Sequence, residues 1–483
     1  MNRSHDSGAE LNQAIHQELC RRAFLQQSAL GVGGFALSSL FGFDKLFAGT
    51  PGAFDSTRAT AKRMIVVFLS GGLSQLDLFD EKPLLNERRG EELPPSIRKE
   101  QRITGVTERQ GALPVVGSKF KFSKHGKCGM TFSEVLPHLA QHADKFTLIK
   151  SLQTDHVLHE AAMTSLFTGT PLLGRPSWGS WVSYALGSLN QDLPEFVVLL
   201  SGGERLAPLH PRVWHSGFLP GQHQGVPFRS GGEPVLFVKS PPGVDKKSDS
   251  AVLDAINELN AIEGQRTGDP DVEARIRAYE MAGRMQSSVP ELADISKESK
   301  ETLEKYGAEP GQNSFANNCL LARRLCERGV RFIQIADGGW DHHGNIPRQL
   351  PAKCEQVDQP TSALLSDLEE RGMLDDTIVL FTGEFGRTSY CEGSLSFRSY
   401  GRDHNARVNC ALLAGGGFKR GYTYGATDDW GWDVVENPVH IHDLQATVLH
   451  SMGLDHEKLT YRHMGRDFRL TDVAGHVVND LLI

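Results

Sequence analysis

The sequence predicts a doubly wound α/β fold, in which helices cover both faces of a mostly parallel sheet. Short apolar runs, typical of buried strands, alternate with segments of helical periodicity along most of the chain. The 50 glycines among 483 residues predict many tight turns, as a large α/β protein requires. No internal repeat or low-complexity tract interrupts this alternation.

Each predicted strand is a short apolar run, and most predicted helices end shortly before the next strand. The strands are predicted at 64–69, 145–152, 195–200, 330–336, 376–383 and 409–416. The helices are predicted at 159–169, 250–306, 315–329, 360–374 and 441–454. The stretch between 201 and 242 is rich in Gly, Pro and His without periodicity, so we predict an inserted loop and helical region at about 202–310.

The first 48 residues are predicted to be an export signal. The motif RRAFL at 21–25 precedes a short stretch rich in Gly, Ala, Ser and Leu, which is typical of a twin-arginine signal. An ordinary amphipathic helix is the alternative. We therefore expect recognition by the twin-arginine export machinery, a linker at 49–62 and a folded domain at 63–483. The expected location is periplasmic or extracellular, with membrane tethering only if the signal stays uncleaved, because the apolar stretch is short for a transmembrane helix.

The composition is that of a soluble globular protein, with 39% hydrophobic and 23% charged residues. The formal net charge of −8 is spread thinly, which gives a nucleic-acid partner no electrostatic support. The seven cysteines form no CxxC pair and their number is odd, so no disulfide framework is predicted.

Side chains that could carry chemistry cluster beside the predicted strands. In doubly wound folds, ligands bind beyond the carboxyl ends of the strands. Three of the four candidate segments follow a strand, and the fourth precedes the last strand. The candidate residues are Asp77, Asp341, His343, Glu384, Arg387 and His404.

The motif GGWDHHGN at 338–345 places an aspartate and two histidines in a row. In an extended chain Asp341 and His343 share one face and His342 takes the other. With Glu384 and His404 they would give two carboxylates and two imidazoles. This set suits a divalent metal, with zinc as the first choice and manganese, iron or calcium as alternatives.

His404 can join this group only under a topological condition. It precedes its strand, so strand 409–416 has to run antiparallel to its neighbours, or the loop has to fold back. The opposing interpretation makes Asp341 a turn residue, His343 a surface histidine and Glu384 the partner of Arg387.

The predicted helix at 159–169 begins with further candidates. His156, His159 and Glu160 are spaced so that they share one helix face, which suits contacts to a metal or a phosphate. A capping or surface role is the alternative. The spacing differs from the HExxH arrangement of zinc proteases.

Five motifs, in the order in which they occur, resemble one bacterial family. They are LSGGLSQLDLFDEKP, GGWDHHGN, GEFGRT, GRDHN and LLAGGGFKRGYTYGATD. They resemble domain of unknown function 1501, a family of exported proteins placed in the alkaline phosphatase/sulfatase superfamily, from about residue 20 to the C-terminus. The resemblance implies an alkaline phosphatase/sulfatase-like fold with a two-metal site that hydrolyses phosphate or sulfate esters.

The resemblance also implies roles for individual residues. Asp341 and His343 resemble the superfamily's Asp-and-His pair on one metal, and His404 resembles its last metal histidine. Glu384 stands where an Asp-His pair normally begins, and Phe385 replaces the histidine of that pair.

Two positions depart from the superfamily pattern. The metal-binding aspartate that normally ends the first strand is replaced by Ser-Gly-Gly at 70–72, with Asp77 further on. His159 stands in the nucleophile's place, and the chain contains no Cys-x-Pro-x-Arg motif. His159 is therefore a candidate base or phosphohistidine-type nucleophile, and Thr164 or Ser165 is the alternative.

These observations predict an exported, metal-dependent hydrolase-like protein. Its expected substrate is an anionic ester or a polysaccharide, with Arg387 holding the anionic end by paired hydrogen bonds. The alternative is a catalytically degenerate member that binds a polysaccharide or a partner protein.

Overall fold

The computed structural model describes residues 53–483, except 100, 102, 202–210, 237–245 and 268–269. The predicted signal region and the first residues of the predicted linker lie outside the described residues. Within the described part of the chain, no helix combines the length and the apolarity that a membrane crossing requires.

A nine-stranded sheet forms the centre of the protein. Its strands are β1 (Arg63–Leu69), β2 (Phe146–Gln153), β3 (Phe196–Ser201), β4 (Val226–Phe228), β5 (Phe332–Asp337), β6 (Thr377–Thr382), β7 (Asn409–Ala414), β8 (Tyr422–Tyr424) and β9 (Val439–His440). The strand order is β8-β2-β7-β6-β1-β5-β3-β4, and β9 also pairs with β2.

The direction of β7 confirms the predicted topology. β7 runs antiparallel to both β2 and β6, whereas the other pairings in the sheet are parallel. The segment before β7 therefore lies at the same edge of the sheet as the carboxyl ends of β1, β5 and β6. This geometry brings the GRDHN motif to the edge where the other candidate segments end.

Eight α-helices of seven residues or more are described. They are α1 (His159–Thr168), α2 (Trp178–Leu186), α3 (Lys246–Thr267), α4 (Pro270–Ala293), α5 (Lys300–Tyr306), α6 (Phe315–Glu327), α7 (Ile346–Glu370) and α8 (Ile441–Ser451). Shorter helical turns and four two-stranded ribbons connect these elements.

The helices cover the sheet on both faces, as predicted. Along β1 successive side chains point to opposite sides. Ile65 and Val67 pack in one buried cluster with α6 and α7, while Met64 and Val66 pack in a second cluster with α1, α2 and α8. A strand that is buried on both faces explains the uninterrupted apolar run MIVVFL.

One predicted helix begins earlier in the structure than the sequence indicated, and one predicted helical region consists of several helices. α7 begins at Ile346 rather than at 360, and it continues through Pro351 and Pro360. A proline inside a helix costs about 3 kcal/mol, and burial of apolar side chains along most of α7 offsets this cost. The stretch predicted as one helical region at 250–306 forms three helices, and α4 opens with Pro270, a residue suited to a helix start.

Candidate metal centre

Four side chains from three separate segments converge at the carboxyl edge of the sheet. His159 is the first residue of α1, Asp341 and His343 lie in the loop after β5, and His404 lies in a short ribbon before β7. One potential ligand atom from each residue lies within 4.8 Å of the other three. The described residues therefore include a group that could hold a metal ion.

Asp341 is the centre of this group. Its Oδ1 lies 2.9 Å from Nε2 of His343 and 3.2 Å from Nε2 of His404. Its Oδ2 lies 3.2 Å from Nε2 of His159. All three imidazoles thus turn the same nitrogen toward one carboxylate.

The outer nitrogen of His404 fixes the tautomer of its ring. Nδ1 lies 2.7 Å from the carbonyl oxygen of Val157, which can only accept a hydrogen bond. In the neutral ring the proton is therefore on Nδ1, and the lone pair of Nε2 faces Asp341. Burial lowers the pKa of His404 most; the contact with Asp341 opposes this, but the charges of Arg387, His159 and His343 lower the pKa further, and the net lowering favours this neutral form.

The other two histidines are oriented by carboxylates. Nδ1 of His159 lies 2.6 Å from Oε1 of Glu384, and Nδ1 of His343 lies 2.5 Å from Oε2 of Glu392. A carboxylate that accepts from Nδ1 leaves Nε2 as the metal-binding atom and makes it a better ligand. Three Nε2 atoms and one carboxylate are a ligand set that zinc prefers.

The pKa values reflect the coupling between these groups. Burial would raise the pKa of Asp341, but its contacts with the histidines and the charge of Arg387 outweigh it and lower this pKa. Burial would lower the pKa of His159 and His343, but their carboxylate partners raise each to about 9. The three carboxylates of the centre, including Glu384 and Glu392, thus favour positive charge at the imidazoles, whether it is carried by a proton or by a bound cation.

Glu384 supports the group from outside it. It is fully buried and lies beyond the four converging residues. The backbone N–H of Gly71 donates to its two oxygens, at 2.9 and 3.1 Å. The carboxylate is therefore held between Gly71 and His159, in the position of an outer partner of a metal-binding histidine.

Replacement of Glu384 by glutamine is expected to weaken metal binding by about 10- to 100-fold. The amide is neutral and makes His159 a poorer ligand, while the shape of the side chain is kept. Competition with a chromophoric zinc chelator measures the affinity. Glu369→Gln, in a half-exposed ion pair with Lys145, is the matched control. An unchanged zinc affinity in Glu384→Gln would contradict the outer-partner role.

Arg387 holds the loops of the site together. It is fully buried, and its guanidinium donates to the backbone carbonyls of Gly71, Gly72 and Arg402. One terminal nitrogen also lies 2.6 Å from Oδ1 of Asp341. This contact orients Asp341. The substrate-holding role of Arg387 stays a prediction, since all three guanidinium nitrogens already donate to protein oxygens.

Asp77 lies in a separate buried network. Its carboxylate accepts from Nε of Arg402 at 2.8 Å, from the Ser74 hydroxyl at 2.5 Å and from the Tyr400 hydroxyl at 2.8 Å. Asp77 is not among the four converging residues. The structure therefore shows a charge partner within the fold for this predicted ligand.

Phe385 packs beside two imidazoles of the group. Its ring centroid lies 5.0 Å from that of His159 and 4.4 Å from that of His404. A phenyl ring cannot be a metal ligand, so this position forms an apolar wall against two imidazoles. A hydrophobic shell of this kind limits solvent access to a metal centre.

A second group of possible ligands shares a member with the first. His343, Glu392 and Asp403 also have oxygen or nitrogen atoms within 4.8 Å of one another. Asp403, however, already accepts hydrogen bonds from the hydroxyls of Thr107 and Tyr390. Among the described residues, the group around Asp341 is the one with four members.

Two glycines let backbone segments approach the GGWDHHGN loop closely. A β-carbon at Gly71 would overlap the backbone of Trp340 and Asp341, and one at Gly401 would overlap the carbonyl of His343. Gly71 also has φ +127°, in the region that favours glycine. The glycine two residues after β1 thus lets the loop that carries Asp341 pack directly on its backbone.

Gly401→Ala is expected to lower the free energy of unfolding by about 1–3 kcal/mol, because the added methyl group displaces His343. Urea unfolding measures the stability, and a chelator competition measures the accompanying loss of zinc affinity. Gly221→Ala is the control, since a β-carbon at Gly221 meets no atom within 4 Å. Equal stability and zinc affinity in the two variants would contradict the predicted contact.

Some residues of the site could be recognised from the sequence, and others could not. The structure brings together four predicted residues, His159, Asp341, His343 and His404, and places Glu384 and Arg387 directly behind them. Glu392 and the carbonyl of Val157 were missed, because neither follows a strand or belongs to a recognisable motif. The hydroxyl of Thr164 donates to the backbone carbonyl of Glu160 within α1.

Comparisons with known proteins give one family and several distant structures. The family model described as "Protein of unknown function (DUF1501)" matches residues 61–482. A protein in the alkaline phosphatase superfamily from Vibrio parahaemolyticus is 9% identical, with 87% of this chain and 74% of that chain covered and a TM-score of 0.36. The lipoteichoic acid synthase LtaP from Listeria monocytogenes is 10% identical, with coverage of 84% and 74% and a TM-score of 0.33. The alkaline phosphatase of the Antarctic bacterium TAB5 is 10% identical, with coverage of 82% and 99% and a TM-score of 0.32. No curated protein matches the sequence.

Proposed function

The chain belongs to the family of proteins of unknown function designated DUF1501, and we propose that it is an exported, metal-dependent hydrolase of phosphate or sulfate esters. The observation that carries this proposal is the convergence of three imidazole Nε2 atoms on Asp341, with each Nδ1 held by an oxygen of the protein. Export is supported by the RRAFL motif, which lies outside the described residues.

The donor set fits zinc. The ion would be held by Asp341 and by three histidines, His159, His343 and His404. Nδ1 of each histidine and one oxygen of Asp341 are already fixed by hydrogen bonds within the protein. A bound ion would polarise an ester oxygen and lower the pKa of a coordinated water molecule toward neutrality.

The exposure of the centre favours a catalytic site over a closed structural one. The side chain of Asp341 is 41% exposed and that of His343 is 36% exposed, whereas Glu384 behind them is fully buried. A structural zinc site is normally enclosed by its four ligands, while a catalytic site stays open to substrate. An ester could therefore approach Asp341 and His343 from the solvent side.

The residues of the centre have different roles in this proposal. We assign His159 to metal binding, because its Nδ1 faces Glu384 and its Nε2 faces Asp341. Arg387 keeps Asp341 ionised and oriented through its 2.6 Å contact. Phe385 excludes water from one side of the imidazoles. The nucleophile in this proposal is water, so no serine, threonine or cysteine is needed.

The purified protein is expected to hydrolyse 4-nitrophenyl phosphate or 4-nitrophenyl sulfate when loaded with zinc. Absorbance of released nitrophenol measures the rate, with manganese and iron tested in parallel. A chelator should remove the activity, and added zinc should restore it. A protein that holds zinc but hydrolyses neither ester, nor a wider ester panel, would contradict the hydrolase and support a non-catalytic binding protein.

A further inference from the structure

A polar cleft of about 500 Å³ adjoins the metal centre. Val157 lines the cleft, and its carbonyl accepts the hydrogen bond from Nδ1 of His404. Leu158, another wall residue, immediately precedes His159, and Arg407 follows His404 by three positions. The cleft therefore shares its wall with the supports of two proposed metal ligands.

The wall of the cleft contains three buried polar atoms without a hydrogen-bond partner among the described residues, on Thr154, Gln101 and His440. Thr154 is 6% exposed, and its hydroxyl has no hydrogen-bond partner among the described residues. Oε1 of Gln101 is also buried and without a partner there, although its Nε2 donates to Asn405 at 2.6 Å. Because buried polar atoms are normally hydrogen-bonded, these atoms point to a hydrogen-bonding ligand.

The charged groups along the cleft lie close to other side chains of the protein. A guanidinium nitrogen of Arg407 lies 2.9 Å from Asp433, and Nε2 of His440 lies 3.2 Å from Asp155. The cleft thus offers hydroxyl, amide and imidazole groups together with the exposed carboxylate of Asp155. Among the described residues, no phenyl, phenol or indole ring belongs to its wall. A flat aromatic or long alkyl group would find little to pack against.

We propose that this cleft binds the sugar portion of the substrate, so that the ester group of a phosphorylated or sulfated sugar reaches the metal centre. The proposal rests on the ester-hydrolase function proposed above. A sugar ring presents several hydroxyls that both donate and accept, which matches the mixture of polar groups in the wall. The volume lies within the range of about 300–1,000 Å³ for small-molecule sites.

The test compares sugar esters with aryl esters as ligands of the zinc-loaded, full-length protein. Glucose 6-phosphate and glucose 6-sulfate are the sugar probes, and phenyl phosphate and phenyl sulfate are the aryl probes. Ligand-observed NMR measures each dissociation constant. At least one sugar ester is expected to bind more tightly than its aryl counterpart.

Two variants locate the binding. Thr154→Val and Arg407→Leu are each expected to weaken sugar-ester binding by about three- to tenfold, as for the loss of one hydrogen bond, with zinc content and aryl-ester affinity unchanged. Thr423→Val, an exposed threonine outside the cleft, is the control. The proposal would be overturned if both cleft variants kept the wild-type affinity for sugar esters. It would also be overturned if sugar esters bound no more tightly than aryl esters.

Turnover, measured separately, distinguishes the two proposals. Sugar esters that bind through the cleft but are not hydrolysed would contradict the hydrolase and retain the sugar site. Hydrolysis of aryl esters without any preference for sugar esters in binding would retain the hydrolase and overturn the sugar site.

Discussion

Replacement of Asp341 by alanine is expected to abolish tight zinc binding. Asp341 is the residue that all three Nε2 atoms approach, at 2.9–3.2 Å. Without it, the centre loses its central negative charge and brings three imidazoles and the Arg387 guanidinium together without a shared acceptor. Elemental mass spectrometry should find about one equivalent of zinc in the wild-type protein and almost none in Asp341→Ala.

Controls separate loss of a ligand from loss of the fold. Asp467→Ala removes a carboxylate that is 55% exposed and paired with Arg462, and its zinc content should match the wild type. Far-ultraviolet circular dichroism should show that Asp341→Ala keeps its helices. His404→Ala should lose zinc as well, because its Nε2 is one of the converging atoms. A full equivalent of zinc in folded Asp341→Ala would contradict the proposed centre and remove the basis for the hydrolase.

Much of the fold was predictable because the strands are buried on both faces. The runs MIVVFL and TIVLF have no other simple interpretation than central strands, and the structure places them side by side as β1 and β6. The position of His404 required β7 to be antiparallel, and this topological prediction is confirmed. The same argument brought residues from three distant segments to one edge of the sheet.

The role of each residue within the site was not predictable from the sequence. A sequence shows that Glu384 follows a strand, but it does not show which way the carboxylate turns. The backbone N–H of Gly71 and the Nδ1 of His159 determine that direction, and both are contacts between distant segments. Glu392 belongs to no recognisable sequence motif. Its contact with His343 depends on the path of a loop, which the sequence does not show. For the same reason, the outer supports of a metal site are harder to predict than the ligands.

The start of α7 was missed because local rules and tertiary packing disagree. Prolines inside a segment predict a helix boundary. In α7, Leu350, Cys354 and Val357 are fully buried. Their burial stabilises the helix across Pro351. A prediction from the local sequence cannot include this stabilisation, because the local sequence does not show which side chains pack over the helix.

Asp77→Asn is expected to lower the free energy of unfolding by about 3–5 kcal/mol, because it leaves the buried Arg402 guanidinium without its counter-charge. Both side chains are fully buried, and Nε of Arg402 lies 2.8 Å from Oδ2 of Asp77. Urea unfolding at neutral pH measures the loss. The exposed pair of Arg462 and Asp467 is the matched control, and Asp467→Asn should change stability by about 0–1 kcal/mol.

The pH dependence of this contribution has a definite sign. Burial would raise the pKa of Asp77, but the charge and hydrogen bond of Arg402 outweigh it and lower this pKa from its ordinary value of 3.8. A carboxyl group whose pKa is lower in the folded state stabilises the fold fully above the unfolded pKa. The contribution therefore falls once the pH drops below about 3.8 and is lost below the folded pKa. The stability difference between the wild type and Asp77→Asn should shrink over that acidic interval.

The same variant decides whether Asp77 is a metal ligand, as its position after β1 suggests, or a charge partner within the fold. A charge partner predicts that Asp77→Asn is less stable but binds zinc with wild-type affinity wherever it is folded. It also predicts that the double variant Asp77→Leu/Arg402→Met recovers much of the lost stability, since replacing both charges removes the uncompensated one. Zinc loss in folded Asp77→Asn, with little change in stability, would instead make Asp77 a ligand and would require a centre larger than the four converging residues.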